Sequence, residues 1–257
     1  MRNRPLLTRI FPPTAARPSQ PNPSPAAGNL SDPVPVIALH GTLDSPGAWA
    51  PLADGLRSLG RRVYVPAYGN RGTAALADSV AEVEDYINGV CAETNSDTVD
   101  IVAHSQGGLL AFLLFTRLAG HEDERISFRR VISVSGSVGG VNLTGISRIL
   151  GWRNGSLARW LMGQALADQI AVAAEKYDLP AANTAPHLRG RKAAAPDWIN
   201  VISHHDSLVI PWSDTAQSFL PDSRTVLLES ELEGRSVAHW KQQTDPEVID
   251  LITRLLA

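Results

Sequence analysis

The chain has 257 residues, 44% of them hydrophobic, and a formal net charge of -3 at pH 7. This length and apolar content allow one large α/β domain, whereas the slightly negative charge lacks the basic footprint of a nucleic-acid-binding protein. No apolar run in the sequence approaches the roughly 20 residues that a membrane-spanning helix needs.

Residues 1–33 differ in composition from the rest of the chain. They contain eight prolines and only one acidic residue. Such a segment cannot build a core, so we expect a disordered or polyproline-like tail and a domain that covers 34–257. The apolar pairs at 6–7 and 10–11 are each interrupted, whereas a secretion signal needs a continuous apolar stretch. This pattern predicts a cytoplasmic location.

Strand-like and helix-like segments then alternate along the chain. The apolar run 34–39 predicts a buried strand, and 40–44 a loop that leads into a helix starting at Ser45-Pro46. A strand is expected at 62–68, followed by a helix whose apolar stripe is Leu76, Val80, Val83, Ile87 and Val90. Further strands are expected at 98–104, 130–135, 198–203 and 225–229. A helix is expected to follow the strand at 98–104 and to end at Leu118, and the last helix is expected to begin within 244–247.

This alternation predicts an α/β fold with a doubly wound, mostly parallel sheet, whose ligands bind beyond the carboxyl ends of the strands. Residues 136–197 interrupt the alternation, so we interpret them as a helical, cap-like insertion over that edge. Its apolar pairs Trp152/Trp160 and Leu157/Leu161 favour a movable lid or the lining of an acyl pocket. An ordinary packed helical connection is the alternative.

Ser105 lies at the sharp junction between the strand at 98–104 and the helix that follows. Its neighbours two positions away, Ala103 and Gly107, are small enough for the strand and the helix to pass closely, as in a nucleophile elbow. The helix directs its free N–H groups toward the ligand site. The alternative interpretation is that Ser105 merely caps the helix.

Two further residues complete a candidate triad. Asp206 follows a buried strand, the position expected for the acid that orients a catalytic imidazole, and its rival Asp214 lies deeper in the loop. His239 follows the last strand. The rival bases His204 and His205 are too close to Asp206 in sequence to contact both that carboxylate and Ser105. The order serine, acid, histidine is the order of the α/β-hydrolases.

The loop at 40–44 supplies candidates for the oxyanion hole. In that fold, one oxyanion donor comes from such a strand-to-helix loop and the other from the residue after the nucleophile. These donors are expected to be the backbone N–H groups of Thr42 and Gln106. We expect His40 to brace the loop, with direct catalysis as the alternative.

From residue 34 to the end, the chain resembles the bacterial lipase class 2 group of the α/β-hydrolases. The matching residues are His40-Gly41-Thr42 with Trp49, Gly72-Thr73, the segment Val102-Ala103-His104-Ser105-Gln106-Gly107-Gly108, Asp206 with Val209 and Pro211, and His239. The resemblance implies a secreted or cell-envelope esterase or triacylglycerol lipase that acts on acyl esters and needs no cofactor.

The sequence therefore predicts a serine hydrolase that cleaves carboxylic acyl esters, with Ser105 as nucleophile and His239 as base. The expected partner is a small-molecule or lipid ester, and a lipid ester would entail transient contact with a lipid interface. No metal pattern competes, since the sequence contains no His-Glu-x-x-His segment. An acyltransferase or a peptidase with the same triad, or a non-catalytic binding module, are the alternatives.

Overall fold

A parallel sheet forms the centre of the computed structural model, which describes residues 5–10, 32–119, 126–138, 163–174, 195–209 and 222–257. Its strands are β1 (Asp32–Leu39), β2 (Arg61–Tyr64), β3 (Thr98–His104), β4 (Ser127–Val134), β5 (Asp197–Ile202) and β6 (Arg224–Leu227). Their spatial order is β2-β1-β3-β4-β5-β6, and every neighbouring pair is parallel. The chain moves outward from β1 to β2 and then returns to the other side of β1. The predicted doubly wound sheet is thus confirmed, with its reversal between β1 and β3.

Helices cover both faces of this sheet. They are α1 (Leu6–Ile10), α2 (Ala50–Ser58), α3 (Gly69–Gly72), α4 (Leu76–Thr94), α5 (Gln106–Ala119), α6 (Gln164–Ala174), α7 (Leu228–Glu231) and α8 (Pro246–Leu256), with 3-10 turns at Pro46–Trp49 and His239–Lys241. The expected apolar stripe of α4 is buried along its length. Helix α8 begins where the sequence predicts, because the Asp245 carboxylate accepts hydrogen bonds from the N–H groups of Glu247 and Val248. None of the helices in the described ranges is long and apolar enough to span a membrane.

Two apolar cores lie on opposite faces of the sheet. In β3, Ile101 and Ala103 face the core that contains α4 and α5, whereas Val102 faces the core that contains α2 and α8. All three side chains are fully buried. A strand buried on both faces is mostly apolar in sequence, and in β3 the run Ile101-Val102-Ala103 shows this pattern.

Several boundaries differ from the sequence-based expectation. Strand β1 begins at Asp32 rather than at residue 34, because Asp32 already pairs with Arg61 of β2. Its carboxylate also pairs with Arg129 at 2.6 Å. Strand β2 ends at Tyr64 rather than at residue 68, since Pro66 has no N–H to extend the ladder.

Strand β6 ends at Leu227, before the expected residue 229, where α7 takes over. Near the start of the chain, α1 forms within the segment expected to be a tail. Its Thr8 carbonyl accepts from Arg71 at 3.4 Å. The remaining residues of 1–31 lie outside the described residues.

Helix α6 is the described part of the insertion expected at 136–197. It packs beside the start of α4, where the Ala165 N–H donates to the Thr73 carbonyl at 3.3 Å and Asp168 accepts from the Leu76 N–H at 3.0 Å. The tryptophan and leucine pairs of the insertion lie outside the described residues. The role of the insertion as a lid stays a prediction.

Candidate active site

Ser105 occupies a sharp turn between β3 and α5. Its φ of 53° is in the left-handed region, which is uncommon for a residue other than glycine and is a form of strain found at functional sites. The turn is held from both sides. The Ser105 N–H donates to the Val134 carbonyl at 3.0 Å, and the Ser105 carbonyl accepts from the N–H groups of Gly108 at 2.9 Å and Ser137 at 3.1 Å.

Gly107 allows α5 to pass β1 at very short range. A Cβ atom at this position would lie 2.6 Å from the carbonyl oxygen of Leu39 and 3.0 Å from that of His40. Such distances are well below van der Waals contact, and both neighbours are backbone atoms. The expectation that the elbow needs a small residue at 107 is therefore confirmed.

Asp206 and His239 form a buried pair. The His239 Nδ1 atom lies 2.7 Å from Oδ2 of Asp206, while Oδ1 accepts from the N–H groups of Leu208 at 2.8 Å and Val209 at 3.0 Å. Burial alone would raise the pKa of Asp206, but the hydrogen bonds and the charge of His239 hold it well below its ordinary value. The carboxylate is thus ionised and oriented to hold a proton on Nδ1 of His239.

The elbow lies directly beside this pair. The ring of His104, the residue before Ser105, is 4.6 Å from the ring of His239, and its Nε2 atom is 3.0 Å from the His239 carbonyl. The structure therefore places His104, the residue next to Ser105, against the pair of His239 and Asp206. The rival bases His204 and His205 are exposed, and Asp214 lies outside the described residues.

The candidate oxyanion residues lie against the same turn. A Cβ on Gly41 would be 3.2 Å from Cβ of Ser105, and a Cβ on Gly72 would be 3.2 Å from Cα of Thr42 and 2.6 Å from Oε1 of Gln106. Gln106 also donates from Nε2 to the Gly72 carbonyl at 3.2 Å. It is the first residue of α5, where backbone N–H groups lack acceptors within the helix.

Helix α3 supports this loop through an unusual backbone. All four of its residues, Gly69 to Gly72, have positive φ. The Arg71 carbonyl accepts from the Leu43 N–H at 2.8 Å, and its guanidinium donates to the Leu43 carbonyl. A left-handed turn of this kind is strained at Asn70 and Arg71, and such strain beside the loop at 40–44 is a second sign of a functional site.

His40 braces the loop from below, as expected. Its ring stacks on Tyr68 at 4.2 Å with an interplanar angle of 5°, and its Nδ1 donates to the Gly41 carbonyl at 2.9 Å. The Tyr68 hydroxyl donates to the His40 carbonyl. Burial lowers the pKa of His40 to about 4. The ring is therefore neutral at pH 7.

Comparison with known proteins agrees with this geometry. Residues 36–250 match the Alpha/beta hydrolase family. The chain belongs to the α/β-hydrolase family. No curated protein matches the sequence of this α/β-hydrolase.

Solved structures share the fold of this α/β-hydrolase at low sequence identity. A carboxylesterase of the thaumarchaeon Nitrososphaera gargenis matches with a TM-score of 0.59 and 14% identity, covering 93% of this chain and 97% of that one. One of the metagenome-derived lipolytic enzymes LipS and LipT matches with a TM-score of 0.59 and 14% identity, and the match covers 89% of this chain and 94% of that one. A lipase-esterase related protein of Clostridium acetobutylicum matches with a TM-score of 0.58 and 12% identity, and the match covers 88% of this chain and 96% of that one.

Gln169 is a residue of this α/β-hydrolase site that sequence reasoning missed. It lies on α6 and is almost fully buried. Its Nε2 donates to the Thr42 hydroxyl at 3.2 Å, and its Oε1 accepts from the Ser137 hydroxyl at 3.1 Å. Because the Ser137 N–H donates to the Ser105 carbonyl, Gln169 connects the loop at 40–44 to the elbow. No motif marks Gln169, since its partners are far away in sequence.

Glu229 is a second residue near the site that sequence reasoning did not single out. It lies on α7 and accepts from the Ser203 hydroxyl and from the His204 N–H at 3.4 Å, so it holds the start of the loop that carries Asp206. Burial raises the pKa of Glu229, but these hydrogen bonds outweigh that effect and lower it.

Within the described ranges, no group of three or more histidine, cysteine or acidic residues is arranged to hold a metal ion.

Proposed function

We propose that this α/β-hydrolase cleaves carboxylic acyl esters through an acyl-enzyme on Ser105. The observation that carries the proposal is the buried 2.7 Å contact between His239 Nδ1 and Asp206 Oδ2 beside a strained serine turn. A serine hydroxyl is a weak nucleophile until an imidazole accepts its proton, and an ionised carboxylate holds that imidazole in the required tautomer. With Nδ1 protonated and facing Asp206, Nε2 of His239 is the basic nitrogen.

The first half of the proposed reaction forms the acyl-enzyme. His239 Nε2 takes the Ser105 proton while the serine oxygen bonds to the ester carbonyl carbon. The carbonyl oxygen becomes an oxyanion, held by the N–H groups of Thr42 and Gln106. The carbon–oxygen bond to the alcohol then breaks, and His239 returns the proton to the leaving alkoxide.

Water completes the cycle. His239 takes a proton from a water molecule, whose oxygen attacks the acyl carbon, and the second oxyanion occupies the same site. When the bond to Ser105 breaks, the serine oxygen regains its proton from His239 and the carboxylic acid leaves. Each oxyanion donor would contribute on the order of 3 kcal/mol to transition-state stabilisation. These steps use only groups of this chain and require no cofactor.

Resemblance to the bacterial lipase class 2 group supports an esterase or triacylglycerol lipase as the finer assignment. The fold neighbours include a carboxylesterase and a monoacylglycerol lipase of Paleococcus ferrophilus, the latter at 14% identity and a TM-score of 0.53. We expect short to medium acyl chains, and longer chains if the insertion at 136–197 lines an acyl groove. A lipid substrate would bring the protein to a lipid surface, at the secreted or cell-envelope location that the resemblance implies.

Labelling with a fluorophosphonate tests the nucleophile directly. The wild-type protein should be labelled, because only a serine activated by a base attacks phosphorus readily. Ser105→Ala should abolish labelling. The matched control is Ser135→Ala, since Ser135 also follows a strand of this sheet and has a positive φ of 43°. Labelling that survives in Ser105→Ala but not in Ser135→Ala would contradict the assignment.

A series of p-nitrophenyl esters tests the reaction. Turnover without added metal or cofactor is expected, and the dependence on chain length separates an esterase from a lipase. Labelling without hydrolysis, but with acyl transfer to an added alcohol, would favour the acyltransferase. Neither labelling nor turnover in folded protein would favour the non-catalytic binding module.

A further inference from the structure

His104 is a buried titratable residue that the proposed mechanism does not use. It ends β3, and its ring is packed against that of His239 with an interplanar angle of 44°. Its Nε2 atom lies 3.0 Å from the carbonyl oxygen of His239, a contact between residues 135 positions apart. The last residue before the nucleophile thus contacts the backbone of the candidate base.

The chemistry of the partners determines the protonation of His104. A carbonyl oxygen only accepts, so Nε2 must carry the proton. Burial, together with the charge of His239, keeps the pKa of His104 well below its ordinary value, so the ring is neutral. A neutral imidazole has a single N–H, which leaves Nδ1 as an acceptor that needs a donor.

Gln243 supplies that donor. The groups around its amide fix the orientation in which Nε2 donates to Nδ1 of His104 at 2.9 Å and to Oδ2 of Asp44 at 2.7 Å, while Oε1 accepts from the Trp49 indole at 3.3 Å. Gln243 is almost fully buried, between the turn that carries His239 and helix α8. Every contact in this group pairs a donor with an acceptor.

We propose that His104 and Gln243 are positioning residues that hold the His239 backbone in register with the Ser105 elbow, an inference that rests on the proposed function. The hydrogen bonds run from the segment with Asp44 and Trp49, through Gln243 and His104, to the His239 carbonyl. They link three segments that are distant in sequence but must meet at one ester carbonyl. The neutral ring of His104 also avoids placing a second positive charge against His239 when that base takes the serine proton.

Removing the His104 donor would leave the buried carbonyl of His239 with only the long hydrogen bond from the Gln242 N–H at 3.4 Å, and the turn at 239–241 would move to find a better donor. The base would then lose its alignment with Ser105, although Asp206 still contacts it. Displacements of about 1 Å at such a site lower rates by about 100-fold. Because alignment matters in the transition state and not in ground-state binding, kcat should fall while KM stays nearly constant.

The test compares His104→Met with His104→Gln. Methionine fills a similar volume without a donor, whereas the glutamine amide can donate at about the reach of the imidazole Nε2. We expect kcat and the rate of fluorophosphonate labelling to fall about 10- to 100-fold in His104→Met. In His104→Gln, kcat and the labelling rate should both recover most of their wild-type values. The control Ile87→Val removes a methyl group from the buried stripe of α4, which takes no part in these hydrogen bonds, and should retain wild-type kcat.

A measurement without substrate separates this proposal from the proposed function. The proton between His239 and Asp206 should give a far-downfield NMR signal in the wild-type protein and in His104→Gln, and should broaden or disappear in His104→Met. If the wild-type protein neither turns over esters nor reacts with the fluorophosphonate, the proposed function fails and this signal still decides the positioning role.

Gln243→Met provides the second variant in case His104→Met does not fold. In this variant too, kcat should fall while KM stays constant, but the fall should be smaller than in His104→Met. Wild-type kcat in either methionine variant would overturn the proposal. Equal losses in His104→Met and His104→Gln would also overturn it, because they would show that ring packing rather than the donor is required.

Discussion

The carbonyl oxygen of Leu39 lies 2.6 Å from the point where a Cβ atom on Gly107 would be. Leu39 ends β1 and Gly107 is the second residue of α5, so this close approach sets how the elbow lies against the central strand. It also puts the loop after β1, with Thr42, next to the start of α5, with Gln106. The two candidate oxyanion donors are neighbours because a glycine lets two backbones meet.

The first prediction is that Gly107→Ala destabilises the protein and lowers ester turnover. Overpacking against backbone atoms typically costs about 1–3 kcal/mol, and the shift of α5 would move Gln106. Urea unfolding measures the first effect and kcat the second. The matched control is Gly55→Ala in α2, where no atom lies within 4 Å of the new Cβ. That variant should gain about 0.5–1 kcal/mol. Similar results for both variants would contradict the packing argument.

The second prediction concerns the triad. Asp206→Asn and His239→Ala should each lower kcat by about 10⁴-fold while the protein stays folded, because the base is misoriented or lost. His205→Ala and Asp214→Asn should have mild effects. Circular dichroism verifies folding, and initial rates on a p-nitrophenyl ester provide the measurement. Severe losses in His205→Ala or Asp214→Asn would transfer the role to those residues.

The third prediction concerns Gln169, the link between Thr42 and Ser137. Gln169→Leu keeps the volume of the side chain but removes the donor to the Thr42 hydroxyl. We expect kcat to fall by about 10-fold, since a buried hydrogen bond is worth about 1 kcal/mol and the loop that carries an oxyanion donor is loosened. The control is Gln164→Leu on the same helix, whose amide contacts Asp168 at 2.6 Å and not the oxyanion loop. Equal kcat values in the two variants would contradict the role of Gln169.

The sharp turn at Ser105 and the pairing of Asp206 with His239 could be predicted from sequence, because each of these residues follows a recognisable strand. Ser105 lies between small residues after the largely apolar β3, Asp206 follows β5, and His239 comes after β6. Gln169 and Gln243 could not be predicted, because their meaning comes only from partners that folding brings close. Gln169 contacts a residue 127 positions away. A glutamine on an amphipathic helix has no local pattern that distinguishes it from a surface residue.

The fourth prediction refines the boundary of the domain. Deletion of residues 1–31 should leave the melting temperature and the ester rate nearly unchanged, because the segment is rich in proline and poor in apolar residues, and the hydrogen bond from Arg71 to the carbonyl of Thr8 is long, at 3.4 Å. Deletion of 1–33 should cost more stability. It removes Asp32, which pairs with Arg129 at 2.6 Å and Arg61 at 3.5 Å. Thermal melts of the two deletions, with Asp32→Asn in the full chain as control, measure this difference.

A large loss on removing 1–31 would show instead that the first residues dock on the domain. Asp32→Asn should match the deletion of 1–33 in direction, since both leave Arg129 with one carboxylate partner fewer. If only the deletion is destabilising, the backbone of β1 rather than the Asp32 charge accounts for the effect.

The last prediction is a loss of stability in acid that depends on His40. The folded protein lowers the pKa of this buried ring to about 4, whereas an unfolded chain would show the ordinary value near 6.5. Below pH 6.5 the unfolded state therefore binds a proton that the folded state refuses, so the free energy of unfolding falls as the pH falls from 6.5 to 4. This pKa difference lowers the free energy of unfolding by about 3 kcal/mol once the pH has fallen to 4.

Urea unfolding of wild-type protein and of His40→Asn across this pH range measures the effect. Asparagine retains a donor near the position of Nδ1, so the contact with the Gly41 carbonyl can persist, but it cannot titrate. The variant should be less stable at pH 7, because it loses the stacking on Tyr68. Its stability should nevertheless fall less steeply between pH 6.5 and pH 4, since His104 then makes the remaining buried-imidazole contribution. Parallel curves for the two proteins would show that His40 does not drive the acid sensitivity.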